Sequence, residues 1–320
     1  MELIEIKSLI CGRIDRYDKL HILSMEKINS CTSKLEVIEY IKDLSEKLGE
    51  LIKESVLNSD VLISCFGAEF LNEQNIYTDG NIKLYLDKKY IVMGTCSATA
   101  YNNADVWSYE NAKVVLRKKS RLTAFGMTEF QACDESYAEI CGTDCNGKFN
   151  GKATGHVSCN NGFIDCYEYS KISVANSRNI TFYDYSKGCV SGISSVVCKD
   201  NSEIKSFTYA VVKCYGESKL IANERCVANM FEKSNGTFNG ESFGIVFSAN
   251  EVMFDDISHG VIHQCVKRTK ANGHCTIDIE HMGTKLSAYG HSVIKDFTDS
   301  YSDRMEHATI IWMKSGKVFN

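Results

Sequence analysis

The feature that most restricts this chain is an eight-residue repeat running from residue 96 to residue 265. Written in rows of eight from Cys96, the sequence reads CSATAYNN, ADVWSYEN, AKVVLRKK, SRLTAFGM, TEFQACDE, SYAEICGT, DCNGKFNG and KATGHVSC. After an extra Asn160-Asn161 it resumes at Gly162 as GFIDCYEY and SKISVANS, and continues to SHGVIHQC. Position one is Ala, Ser, Cys, Thr or Gly in seventeen of the twenty-one rows, and position three is Val, Ile, Leu, Phe or Ala in fifteen. Position two is mostly polar. Side chains alternate across a strand, so this pattern puts positions one, three and five inside and position two outside. Small residues at position one suit a narrow corner, and the Gly, Asn and Asp residues at positions seven and eight supply the bend. A single row cannot bury its apolar side, so the rows must stack. The expected fold class is mainly β, a parallel β-helix or solenoid of strand-corner repeats.

Position six sets the coil size. From Gly162 onward, alternate rows carry Tyr167, Tyr183, Lys199, Tyr215, Phe231, Phe247 and His263, and the rows between them carry Ala175, Ser191, Phe207, Asn223, Asn239 and Asp255. A period of two rows predicts sixteen-residue coils with two faces, over three-faced coils of twenty-four. The register then breaks over 266–283, which contains Lys267-Arg268-Thr269-Lys270 and a turn at Asn272-Gly273, and returns as TKLSAYGH and SVIKDFTD. Strand-like 308–313, a turn at Ser315-Gly316 and the last residues are expected to cap the final coil.

Residues 1–95 read as a helical N-terminal domain that caps the solenoid. Ser33-Lys34-Leu35-Glu36 has the form of a capping box. Val37, Ile41, Leu44, Leu48 and Leu51 then step by four and three along one stripe, predicting a helix to about Leu57. A second helix is expected from Ser59, and Asp79-Gly80 turns the chain into strand-like 82–93. The resulting division is 1–95 helical cap, 96–265 solenoid and 266–320 C-terminal extension and cap.

Composition removes several classes. With 320 residues, 44% of them apolar, the chain needs neither metal nor disulfides to fold. A net charge of -5 is too mild to mark a phosphate-binding surface or a mimic of nucleic acid. Direct contact with nucleic acid is not expected, because basic residues are dispersed except at Arg117-Lys118-Lys119, Arg121 and 267–270. No basic start with an apolar core and no membrane-length apolar run is present, so a cytoplasmic protein without membrane contact is expected. Fifteen cysteines, an odd number with no Cys-x-x-Cys pair, read as small buried hydrophobes kept reduced. The absence of proline suits stacked strands in which almost every N–H is needed.

Rows such as ADVWSYEN and KLSAYGHS resemble the Ala-x-Val-x-Ala-Tyr-Gly-Asn octapeptide arrays of β-solenoid proteins from phages, prophages and gut bacteria. The resemblance covers about residues 96 to 299 and concerns architecture; it brings no catalytic residues. It implies a phage context, in which small non-enzymatic proteins bind and block host defence complexes, as anti-CRISPR proteins do.

Few constellations could carry chemistry. The aromatic residues Tyr167, Tyr183, Tyr215, Phe231 and Phe247 would stack along one edge, either as covered corner packing or as an exposed surface for a protein or for sugar rings. Lys267, Arg268 and Lys270 form a second candidate contact. His259, His263, His274, His281, His291 and His307, with Cys265, Cys275, Asp278 and Glu280, offer zinc ligand types at spacings that match no zinc pattern. No metal and no cofactor are expected. Asp165 and Glu203 are isolated carboxylates, and phosphate-cradling glycine loops and nucleophile elbows are absent, so the chain does not read as an enzyme. The expectation is a protein-binding inhibitor. Alternatives are a carbohydrate-binding or carbohydrate-active β-helix, and a scaffold that self-assembles through the solenoid ends.

Overall fold

A computed structural model of the chain describes residues 1–17, 22–54, 56–159, 161–264, 266–281, 284–299 and 307–319. The fold is a parallel β-solenoid of about fourteen turns, preceded by a short helical segment. It divides into two compact units, Met1–Gly147 and Lys148–Asn320. Among the described residues, no helix is long and apolar enough to cross a membrane.

In the first unit six helices precede the coils: α1 (Leu3–Tyr17), α2 (Met25–Ser30), α3 (Lys34–Asp43), α4 (Ser45–Lys53), α5 (Ser59–Phe66) and α6 (Ala68–Glu73). The Ser33 hydroxyl accepts the Glu36 N–H at 3.2 Å, as the capping box requires, but the Glu36 carboxylate reaches back to Thr32 instead of Ser33. The single helix expected from Ser33 to about Leu57 is two helices, broken at Leu44. The break turns Ser45 onto the coils, where its carbonyl accepts the Tyr109 hydroxyl and its hydroxyl meets the Lys89 ammonium. Val37, Ile41, Leu48 and Leu51 are buried with Ile91, Met93 and Tyr109 in one core. The helices therefore pack along the flank of the first coils. Coil strands already begin at Ile76–Tyr77, Asn81–Leu84 and Lys89–Val92, ahead of the first complete octad.

In the second unit the strands alternate between two parallel sheets. Sheet A contains Thr154–Val157, Lys171–Ala175, Lys187–Ser191, Glu203–Ser206, Lys219–Ala222, Asn235–Phe238, Ala249–Phe254, Val266–Ala271 and Lys285–Ala288. Sheet B contains Ile164–Cys166, Ile180–Phe182, Ser195–Cys198, Val211–Cys214, Val227–Met230, Phe243–Val246, His259–Ile262, Thr276–Ile279, Val293–Asp296 and Thr309–Trp312. Partners are sixteen residues apart, as in Cys198↔Cys214 and Cys214↔Met230, so each coil has two faces. The antiparallel strand Val318–Phe319 pairs with Ile310 and Ile311 and covers the last edge.

Two details of the register differ from the sequence reading. The two extra residues do not sit together at Asn160-Asn161. The strands Tyr137–Ile140 and Asn146–Phe149 are nine residues apart, which places one extra residue near Asp144, and only the other falls in the corner at Asn161; Asn160 lies outside the described residues. Nor does the solenoid break over 266–283. Glu251 pairs with Arg268 and His259 with Thr276, each seventeen residues on, so single extra residues in the corners shift the frame while pairing continues. Cys265 and Gly283 lie outside the described residues. A corner can bulge outward without disturbing the strands it joins, and the core pattern resumes one residue late.

Positions one, three and five are buried, as in Ser202, Ile204 and Ser206. Position-one serines fit the narrow corner by size: Ser186 and Ser234 return the hydroxyl to the carbonyl three residues back, at 2.6 and 2.8 Å, while the hydroxyls of Ser202, Ser218, Ser242 and Ser258 are buried with no hydrogen-bond partner among the described residues. Position seven takes the left-handed conformation, and many of its occupants are acidic: Glu168, Asp184, Asp200, Glu224, Glu232 and Asp256 all have positive φ. Each of these carboxylates accepts the position-seven N–H of the coil before it. Glu168 takes Gly151 N at 2.6 Å, Glu224 takes Thr208 N at 3.0 Å and Glu232 takes Gly216 N at 2.7 Å. These bonds satisfy corner N–H groups that no strand reaches, and they offset the strain of a non-glycine residue at positive φ.

The described cysteines are free, and most are buried. Burial pushes the Cys275 thiol up to about 11, and raises Cys166 and Cys198 well above the ordinary thiol range. An unfolded thiol ionises near pH 8.5. The stability from these neutral thiols is therefore complete below about pH 8.5, and is lost as pH rises through the folded value. At neutral pH a maleimide should label exposed Cys189 first, should label Cys141 and half-buried Cys11 more slowly because burial raises their thiols, and should reach the buried coil thiols only on unfolding. Native labelling of Cys198 or Cys214, read by peptide mass mapping, would contradict this packing.

Candidate partner-binding surface

Sheet B strands run into corners whose position-six side chains form one column. Tyr167 and Tyr183 stack at 4.8 Å with ring planes 6° apart. Lys148 lies 5.8 Å from the Tyr167 ring and Lys199 lies 5.0 Å from the Tyr183 ring, so a cation sits beside each member of the pair. Farther along, Tyr215–Phe231 stack at 4.7 Å, Phe231–Phe247 at 4.9 Å and Phe247–His263 at 5.3 Å. The His263 Nδ1 meets the Glu280 carboxylate at 2.5 Å and ends the run. All the position-six rings are half-buried. The expected column thus exists as two runs separated by Lys199.

A second column, which the sequence reading passed over, stands beside the first. Tyr169 and Tyr185, at position eight of the same corners, stack at 5.6 Å with planes 11° apart and are 60% and 54% exposed. Four tyrosines, two per coil, therefore occupy one corner. The signal was present in the rows GFIDCYEY and RNITFYDY, which share Tyr-x-Tyr at positions six to eight. Partial burial, and then the Asp165 carboxylate 3.3 Å from its hydroxyl, push the Tyr167 phenol up to about 12, so it stays a neutral donor.

Lys267, Arg268 and Lys270 do not form a loop. They belong to the strand Val266–Ala271 of sheet A, where Arg268 pairs in register with Glu251 and Lys285. The Lys270 ammonium contacts the Glu251 carboxylate at 2.6 Å and holds it below the usual carboxylate range. Position two of sheet A is charged in most coils, with Lys187, Glu203 and Lys219 linked at 2.5 and 3.5 Å. These residues form a solvated, salt-bridged face, worth little in stability. The structure does not join them to the tyrosine corner.

The C-terminal histidines are dispersed over separate columns. His259 stacks on Phe243, His263 on Phe247, and His274, His291 and His307 follow one another at 5.0 and 6.2 Å. Among the described residues, no group of three His, Cys, Asp or Glu side chains could hold a metal ion. Cys141 is exposed while Cys145 is buried and donates to the Gly126 carbonyl.

The first unit has a cleft of about 890 Å³ between α4, α5 and the coil corners, floored by Phe125 and Met127 and rimmed by Glu46, Glu50 and Asp60. Its deepest carboxylate, Glu110, is already committed, accepting Ser59 N at 2.9 Å and Gly94 N at 2.7 Å. The cleft lies at the joint between helix and coil. Comparison with known protein families, with curated proteins and with solved structures finds no match to this chain.

Proposed function

We propose that this chain is a non-enzymatic protein-binding solenoid whose contact surface centres on the corner formed by Tyr167, Tyr169, Tyr183 and Tyr185. The observation that carries the reading is the double stack, half-buried at Tyr167 and Tyr183 with a lysine beside each ring, and exposed at Tyr169 and Tyr185. Tyrosines held in a stack give large, rigid contact area with a hydroxyl at the rim and little entropy left to lose, the features of a binding hot spot. The ring orientation favours protein over carbohydrate. A sugar packs on an open ring face, whereas these rings turn one face to each other and Lys148 and Lys199 lie over the Tyr167 and Tyr183 rings. The resemblance to phage and prophage octapeptide arrays adds the context of an inhibitor that occupies a host defence complex.

The test uses the full chain and a Tyr169→Ala/Tyr185→Ala variant as baits in a bacterial lysate, with a glycan array alongside. The wild type should retain a stoichiometric protein, and the variant should bind that protein about 30-fold more weakly or worse. Equal retention by the variant would overturn the assignment of the corner. Glycan binding that depends on the tyrosines would replace the protein reading with the carbohydrate one.

A further inference from the structure

The two outer faces of the second unit differ in chemistry. Position two of sheet A is charged in most coils, but over four consecutive coils sheet B presents Val211, Val227, Phe243 and His259 at position two, paired in register. Val211 and Val227 are 40% and 36% exposed. At position four the same face runs Lys213, Asn229, Ile245, Val261 and Asp278, again in direct register. Position six adds the Tyr215, Phe231 and Phe247 stack. An apolar sheet face of this extent marks an interface.

We propose that this face joins two copies of the chain in an antiparallel, face-to-face dimer about a two-fold axis through Ile245. The charge pattern argues for a second copy. A two-fold axis along the strand direction keeps each position opposite itself and reverses the order of coils. Lys213 lies two coils before Ile245 and Asp278 two coils after it. In the dimer each Lys213 therefore faces the other copy's Asp278, and each Tyr215 faces the other copy's Glu280. Ile245, Phe243 and Phe247 meet themselves at the centre, and Val227 meets His259.

Both charged residues are incompletely matched within one chain. Lys213 has no ion pair among the described residues. Asp278, whose side chain is 22% exposed, has one long contact at 3.6 Å to Lys295. The five coils from Lys213 to Asp278, at about 4.8 Å each and three outward positions wide, cover on the order of 400 Å² per copy before side-chain relief, the footprint of a small interface. The tyrosine corner lies two or more coils outside this footprint and stays open in both copies.

Light scattering and analytical ultracentrifugation of the full chain should find a dimer. Ile245→Asp points outward, leaves circular dichroism and thermal midpoint near wild type, and should give a monomer. Lys213→Asp and Asp278→Lys should each weaken self-association at least about tenfold. Mixing these two single variants should restore a heterodimer, because both inter-copy contacts then pair opposite charges. A wild-type monomer at about 100 µM, even one that binds another protein through this face, would overturn the proposal. So would a dimer indifferent to Ile245→Asp, or a mixture no tighter than the separate variants.

Discussion

Gly260→Val is expected to destabilise the protein by about 3 kcal/mol or more, although valine is a residue the repeat prefers at position three. The reason lies in the preceding strand, which faces Gly260 from the opposite sheet. Phe254 is fully buried at position five and stacks on Phe238 at 4.8 Å, and a β-carbon on residue 260 would stand 2.2 Å from the Phe254 Cζ. The ring already occupies the volume that a position-three side chain fills elsewhere. Gly188 stands in the same relation to Phe182, at 2.6 Å, and Gly244 to Phe238, at 2.7 Å. Phe254→Ala should cost about 3–5 kcal/mol through the cavity it leaves. The double variant should recover part of both losses, since the new valine grows into the space the ring vacates. Chemical denaturation midpoints read all three. Simple addition of the two single effects would show that the side chains do not share one volume.

Tyr109→Ala should cost a comparable amount, about 3–5 kcal/mol, and should act on the first unit by loosening its helices. Tyr109 is fully buried, stacks on Phe125 at 5.3 Å and donates its hydroxyl to the Ser45 carbonyl at the start of α4. Burial raises its phenol far above the ordinary tyrosine range, so the group is always a donor. Removing the ring leaves a cavity and takes the second hydrogen bond from the Ser45 carbonyl, and Phe125, packed 3.1 Å from where a Gly49 β-carbon would stand, loses its support. Hydrogen exchange over α4 and α5 should quicken by orders of magnitude while the strands of 148–320 keep their protection. Tyr109→Phe, which keeps the ring, should cost about 1 kcal/mol. Unchanged exchange in α4 and α5 after Tyr109→Ala would mean that the helices are held by other contacts.

The core of the solenoid was legible in the sequence because buried positions are constrained twice, by period-two alternation and by stacking on like residues. Position-six parity predicted the two-faced coil, and Cys198 lies directly against Cys214 as their spacing implied. What escaped lies at the corners and on the outside. One extra residue near Asp144 and single extra residues in the corners beyond Gln264 put the row pattern out of phase while strand pairing continues. The basic segment around Lys267 falls in an apparent break of the register only because its row is out of phase with the rows before it. Glutamate at position seven carries no bend signal within a single row, and it makes sense only when its carboxylate is paired with an N–H sixteen or seventeen residues earlier. Tyr169 and Tyr185 went unnoticed because outward positions follow no repeat rule. The apolar face of sheet B becomes visible only when alternate rows are assigned to opposite sheets. The break at Leu44 was hidden because the stripe of Val37, Ile41, Leu48 and Leu51 continues across it into one core.

Every surface described above depends on residues sixteen apart lying side by side on one face. Val211→Cys and Val227→Cys, in a background carrying Cys141→Ser and Cys189→Ser, place two outward thiols on adjacent strands in direct register. Neighbouring parallel strands lie within the ~4.4–6.8 Å Cα separation that a disulfide spans. Mild oxidation followed by peptide mass mapping should give the intramolecular 211–227 disulfide in high yield. The control pair Val211→Cys and Asn235→Cys, twenty-four residues apart and on opposite sheets, should give none. A 211–235 crosslink with no 211–227 crosslink would mean three-faced coils, and would contradict the two-faced solenoid on which the tyrosine corner and the apolar face of sheet B both rest.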